Sequence, residues 1–438
     1  MPDLLFIQVA VTRQKFLGNA MNQIEKTDFF ATTLTGHKLE RAAEMTLSEF
    51  LGAQATAVQS VDVDDPYFNI VADEISLGMG VAEKAALAAD FARNPMIQMA
   101  DGALLLTDYE VFLNNMAADT MVSKRQGEFL VNQQCSTITN VSSTSQQAGP
   151  AFTQWEGRVT KVFDVSSNKL RHSTPETLSD VDILLADTST GHFNAPNRLR
   201  RFVGQAYPTA ALALQAMNMA LWPFSAKLAL NGEDLSARVA ARALQSTDLR
   251  NQFEDPELLN ELLVRRDTAI NDPSNFILRD TTDFFYAVSG ARLHPVRIAG
   301  GSLVDRQTDE KIGIHTAPDD LAEALLDGRL FPDLQLAYAV MCLKPKIAAL
   351  GGASQQEYLP RIAPVFQESA MTGHDLSKMV GGIIEVDALI RQGIDLSIDQ
   401  HKIDADWRNR VMGEKVGLLL GCMSHLDYFP VIMRRRLE

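Results

Sequence analysis

Short apolar runs, each closed by polar or small residues, recur through the middle of the chain and set the reading of its elements. VDILLA (181–186), AKLAL (226–230) and KIAAL (346–350) are continuous runs of the kind expected of strands buried on both faces. RVTKVFDV (158–165) alternates apolar with polar positions, as a half-buried strand does. FFYAV and LHPVRI, joined by SGAR, predict a hairpin over 284–298 with Ser289 and Gly290 in the turn. Between these runs lie helical patterns. The Ala-rich stretch Ala85–Phe91 is stopped by Asn94-Pro95, PTAALALQAMNMALWPF ends near Pro223, and Asp255-Pro256 opens a helix through 268. Thr316 is placed to cap a helix that ends at Gly328, and a further helix over 333–343 is stopped by Lys344-Pro345. ALLL (103–106) and VFL (111–113) read as short buried elements, and Ser142–Gln147 as a surface loop. The alternation of strands and helices through 125–375 predicts an α/β layered sheet. We divide the chain into a mixed, mainly helical segment over 1–125, the α/β core over 126–375, and a helical segment over 376–438.

Composition narrows the class without naming a reaction. The 438 residues are 46% hydrophobic and 22% charged, which is globular rather than disordered. With 40 Lys+Arg against 55 Asp+Glu the formal charge is -15, and the one dense basic run is Arg434-Arg435-Arg436. A general nucleic-acid binder needs a basic stripe, so nucleic acid is not expected as a partner. Three cysteines far apart (Cys135, Cys342, Cys422) do not form a disulfide framework and fit a reducing compartment. The start of the chain lacks a basic n-region, and the apolar run at 416–423 is too short to span a bilayer. The expectation is a cytoplasmic chain with no membrane partner. A homodimer is left open.

In open α/β sheets ligands sit at the carboxyl ends of strands, so the segments following strands are where chemistry is sought. Gly351-Gly352-Ala353-Ser354-Gln355-Gln356-Glu357 follows KIAAL. Its glycines let a ligand approach the backbone, and free N–H groups at a helix start attract a phosphate or carboxylate; an ordinary strand-to-helix turn capped by Ser354 and Glu357 reads the same way. Asn132-Gln133-Gln134-Cys135-Ser136-Thr137 follows EFLV, and its amides and hydroxyls suit a polar ligand. Cys135 is a nucleophile only if a nearby cation or helix start lowers its pKa. Asp187-Thr188-Ser189-Thr190-Gly191-His192, with Asn194 beyond it, follows VDILLA and offers an acid-base histidine or a merely solvated one. Asn231-Gly232-Glu233-Asp234 follows AKLAL and is either a simple turn or a carboxylate pair for an amine, a ribose or a metal-nucleotide complex.

Stock signatures fail. Gly78-Met79-Gly80 begins a dinucleotide fingerprint, but Glu83 stands where a small residue belongs. There is no phosphate-binding G-x-x-x-x-G-K-[ST] loop, no G-x-S-x-G elbow, and no His or Cys spacing for zinc.

Three of these sites occur in the order found in a known family. Asn132-Gln133-Gln134 stands where that family has T-G-Q-Q, Glu233-Asp234 matches the start of its E-D-H-D, and Gly351-Gly352 with Glu357 resembles its G-G-P-x-E turn. FPDLQLAYAVMCLKPKIAALGG has the same texture. Over about 130–375 the chain thus resembles the cysteine ligase of bacillithiol biosynthesis, with Leu235 and Ser236 replacing the His-Asp and Gln355-Gln356 inserted before the last acid. The resemblance implies a Rossmann-like core and a bacterial biosynthetic reaction that attaches an amino acid or other amine to a small carboxylate- or phosphate-bearing partner. It leaves the cofactor open, with ATP or another nucleotide as the candidate. In that reading residues 351–357 hold the anion, and Gln133, Gln134 and Ser136 line the pocket. Glu233, Asp234 or His192 handles the amine's proton. The alternatives are a nucleotide-dependent transferase or oxidoreductase, and a non-catalytic interaction protein in which the same segments only make turns.

Overall fold

The computed structural model describes residues 45–56, 58–99, 104–107, 109–134, 149–155, 157–166, 170, 173–224, 227–271, 282–350, 361–367 and 413. The chain divides into two compact units, one of residues 1–50, 385–396 and 406–438, the other of residues 51–384 and 397–405. In the first unit, Thr46 and Glu49 cap each other at the opening of a helix. The Thr46 N–H donates to Glu49 Oε2 at 2.8 Å and the Glu49 N–H to Thr46 Oγ1 at 3.2 Å. Apart from residues 47–50, which open α1, all that follows concerns the second unit.

In chain order the elements are α1 (Leu47–Thr56), α2 (Pro66–Ile75), α3 (Val81–Arg93), β1 (Met96–Gln98), α4 (Tyr109–Lys124), β2 (Leu130–Gln134), β3 (Phe152–Trp155), β4 (Arg158–Phe163) and β5 (Ser179–Asp187). A 3-10 turn (Asn197–Phe202) leads to β6 (Ala206–Thr209), α5 (Ala210–Leu221), β7 (Lys227–Asn231), α6 (Gly232–Ser246), α7 (Asp248–Glu254) and α8 (Pro256–Ile270). Then come β8 (Phe285–Ser289), β9 (Arg292–Ala299), β10 (Ser302–Asp305), β11 (Lys311–His315), α9 (Pro318–Leu326), β12 (Leu330–Pro332), α10 (Leu334–Tyr338) with a π turn (Ala339–Leu343), and β13 (Ala348–Leu350).

Helix starts follow local chemistry. Asp65 accepts from the Phe68 N–H and Pro66 fills the first helical position of α2; Asp255 and Pro256 do the same for α8. Thr209 caps α5. Thr316 is not the cap of α9: Ala317 stands there without a side-chain bond, because Pro318 begins the helix one position later than a Thr316 cap requires. VFL (111–113) lies inside the long helix α4 rather than forming a short element of its own.

The chain is an α/β protein with a four-stranded parallel sheet in the order β13-β1-β2-β7. Strands of such a sheet are buried on both faces, as the apolar runs AKLAL in β7 and KIAAL in β13 suit, whereas VDILLA forms β5 of an antiparallel sheet; β2 departs from the apolar pattern by continuing through Asn132, Gln133 and Gln134. Side chains of registered partners project to one face. Val131, Gln133, Ile97 and Ala349 therefore face one way, toward the core formed with Leu235, Val239 and Leu244 of α6. Asn132, Gln134, Lys227 and Asn231 face the other way. There Asn115 of α4 accepts from Asn132 at 2.8 Å and from the buried Lys227 ammonium at 2.6 Å, and that ammonium also lies 4.7 Å over the Trp222 ring.

Two antiparallel sheets are inserted in sequence between its strands, β3-β4-β5-β6 between β2 and β7 and β11-β10-β9-β8-β12 between β7 and β13. The β8–β9 hairpin closes through Gly290 and Ala291, with Gly290 at φ 61° as a tight two-residue turn demands. Phe285, Val296, Leu303 and Ile314 of this sheet join α6 and α9 in one core. Helix α6 is buried along most of its length, and its alanines (Ala237, Ala240, Ala241, Ala243) allow the close approach. Among the described residues no helix is long and apolar enough to cross a membrane.

Candidate functional site

The carboxyl edge of the parallel sheet gathers polar side chains. β1 ends at Gln98, registered with Leu350, the last residue of β13. β2 ends at Gln133 and Gln134, and β7 at Asn231. Gln133 donates its amide to the Gly232 carbonyl at 3.1 Å. Its Oε1 is buried and meets no hydrogen-bond donor among the described residues. Gln134, registered with Asn231 and only 1% exposed, pairs neither its amide nitrogen nor its oxygen among them. A buried polar group left unpaired costs about 1–3 kcal/mol, so two such carboxamides at the end of one strand call for an explanation beyond folding.

Next to them β7 passes straight into α6. Asn231-Gly232 is not a free turn: the Asn231 side chain accepts from the Glu233 N–H at 3.3 Å and caps the helix. Glu233 and Asp234 fall in the first turn, where the helix dipole favours negative charge. Glu233 is 2% exposed, and its Oε2 accepts the Glu176 N–H at 3.0 Å. Asp234 points to other work. It pairs with Arg238 four residues on, which also donates to Glu74 at 2.7 Å, and Arg242 joins Glu74 at 3.1 Å and Asp73 at 2.9 Å. That ladder ties α6 to α2.

Glu176, on the turn ahead of β5, is a site residue that sequence reasoning missed. The Asn231 amide donates to its Oε2. Burial pushes its carboxyl pKa up, against the opposing influence of Asn231, the Thr209 hydroxyl and the Arg238 guanidinium. Nothing in the string Thr174-Pro175-Glu176-Thr177 signals this neighbour, 57 residues from Glu233 in sequence.

His192 and Asn194 lie elsewhere. They follow the far end of β5 in the antiparallel β3-β4-β5-β6 sheet. Nine residues of strand at about 3.3 Å each put that end roughly 25 Å along from the end near Glu176. His192 is exposed; Asn194 spends its amide on Thr160 at 2.8 Å and on the Trp155 carbonyl at 3.3 Å. Asp187 accepts from the Ser189 hydroxyl and N–H at 2.5 and 2.6 Å and from the Thr190 N–H at 3.2 Å, and with Arg158 at 3.4 Å this holds its carboxyl down to about 2. These groups build a loop and are not brought to the glutamines. Cys135, Ser136, Gly351, Gly352, Ser354, Gln355 and Glu357 lie outside the described residues.

Burial raises the thiol pKa of Cys342, the opposite of what a nucleophile needs. No group of three or more His, Cys, Asp or Glu placed to hold a metal occurs among the described residues. Comparison of the chain with protein-family models, with curated proteins and with solved structures finds no match.

Proposed function

We propose that the chain is a cytoplasmic biosynthetic enzyme with a Rossmann-like core. It binds a small amine, such as an amino acid, at the carboxyl edge of the parallel sheet and joins the nitrogen to a small carboxylate- or phosphate-bearing partner. The observation that carries this reading is the pairing of Gln133 with the first turn of α6. Its Nε2 is fixed on the Gly232 carbonyl, which leaves a buried acceptor oxygen beside the residue that precedes Glu233. A carbonyl oxygen and a carboxylate together match an ammonium, which offers only donors. The attacking nitrogen must lose a proton, and Glu233 and Glu176, joined through the Glu176 backbone N–H, are the acids nearest at hand.

A second reading, a nucleotide-dependent transferase or oxidoreductase, draws on strand order. The chain runs β1, β2, β7 in one direction and then places β13 on the other side of β1, a topological switch point of the kind where nucleotides bind. Thermal melting of the purified chain with methylamine, ethanolamine and the twenty amino acids, and separately with ATP and NAD, tests both. The amine reading expects an amine to raise the midpoint by about 2–5 °C, and Gln133→Met to remove that shift. A shift with nucleotides alone would favour the second reading, and no shift with any amine would refute the first.

A further inference from the structure

Within the amine reading, we infer that Glu176 is the group that takes the proton from the bound amine, and that the amine carries a neutral amide-like group which Gln134 recognises. The geometry divides the site between the two faces of the sheet. On one face Gln133 reaches the first turn of α6. On the other, Gln134 stands beside Asn231, its registered neighbour, and Asn231 holds Glu176. Asn231 is fully committed, its oxygen to the Glu233 N–H and its nitrogen to Glu176, so it holds the Glu176 carboxylate against the start of α6. It is a positioning residue.

The two carboxylates differ in environment. Glu233 sits at the N-terminus of a fifteen-residue helix, and its Oε2 accepts a backbone N–H. Glu176 belongs to a turn rather than a helix start, and its burial favours the protonated form. The carboxylate at the helix start holds the ammonium, and Glu176, held by Asn231 beside Gln134, exchanges the proton. The charged group acting on the Glu176 carboxyl is Arg238, while the Glu233 carboxylate meets the Glu176 backbone N–H. Arg238 is itself engaged with Asp234 and Glu74. The proton moves from the ammonium nitrogen to a Glu176 carboxylate oxygen, which leaves the nitrogen lone pair free to attack.

Gln134 sets the substrate class. Its carboxamide presents one donor and one acceptor, both unpaired among the described residues. A carboxamide, a peptide group or a lactam edge returns the complementary pair.

Calorimetric titration of the full chain with glycinamide, and with methylamine as the probe lacking an amide, tests this from about pH 4.5 to about pH 6.5, where both amines stay protonated. For the wild type, glycinamide affinity should rise roughly tenfold across the range as Glu176 ionises, with proton release to the buffer on its acid side. Glu176→Gln should bind with no pH dependence and no proton release, and Glu176→Asp should restore part of both. Gln134→Met should weaken glycinamide about tenfold and leave methylamine unchanged. Glu176→Gln that keeps the wild-type pH profile overturns the proton-acceptor role while the amine site stands. Equal losses for both probes in Gln134→Met overturn the amide recognition. No wild-type binding of either probe removes the amine site itself, and the inference with it.

Discussion

The backbone N–H of Glu176 donates to Oε2 of Glu233 at 3.0 Å, across 57 residues of sequence. This bond joins the turn ahead of an antiparallel strand to the first turn of the helix that follows a parallel one. It makes the carboxyl edge of the sheet an acidic site with neighbouring amides rather than a plain strand-to-helix junction.

If Gln134 is kept for a ligand, folding should improve without it. Gln134→Met removes a buried carboxamide that has no partner among the described residues and fills nearly the same volume. The variant should be more stable by about 1–2 kcal/mol, read from chemical denaturation, and bind amide-bearing amines more weakly. A loss of stability would show that the amide is satisfied in the folded protein.

Asn231 caps α6 and holds Glu176. Asn231→Ala should cost about 1–2 kcal/mol in denaturation midpoints. Asn231→Asp keeps the cap but sets a third carboxylate beside Glu176 and Glu233. Its stability should approach that of the wild type in acid and fall below it as pH rises past neutral. Parallel curves for the two would contradict the arrangement.

A separate pH dependence comes from Asp333, which caps α10 and is 1% exposed. Burial is the main cause that pushes its carboxyl up to about 6, while Arg266 pulls the other way. The folded state holds this proton more tightly than the unfolded chain. The contribution is therefore present below the ordinary carboxyl range and lost as pH rises through about 6. Asn caps as well as Asp, so Asp333→Asn should match the wild type near pH 4 and exceed it by up to about 3 kcal/mol above pH 7. Melting curves across that span check the sign.

Glu74 is 7% exposed and receives both Arg238 and Arg242. Glu74→Ala should cost about 1–2 kcal/mol, because it removes the buried carboxylate that two guanidinium groups share while each keeps a second partner. Arg242, itself about a third exposed, should contribute less, with Arg242→Ala costing under about 1 kcal/mol. Paired denaturation measurements give both values.

Much of the frame was legible because local chemistry decides it. VDILLA and AKLAL form β5 and β7, the hairpin closes at Gly290, and Asp255-Pro256 opens α8. Helix α6 was not read, because Asn231-Gly232 has the composition of a turn and only the packed structure shows the Asn capping a helix. Helix α4 was not read either. Its buried face carries Asn115 and Asp119, so its apolar periodicity is broken by residues that belong to the interior. At the site, Gln133, Gln134 and Glu233 stood out as polar groups closing apolar strands. His192 satisfied the same rule on a different sheet, and Glu176 satisfied none, since its place depends on a contact between distant segments.

The most direct measurement is nuclear magnetic resonance of the glutamine side-chain amides during titration with glycinamide. Gln335 serves as an internal control, being fully buried and equally without partners among the described residues. The account predicts that the Gln133 and Gln134 amide signals move in a saturable way and that Gln335 stays still. Stationary signals from both Gln133 and Gln134 at saturating glycinamide would contradict it.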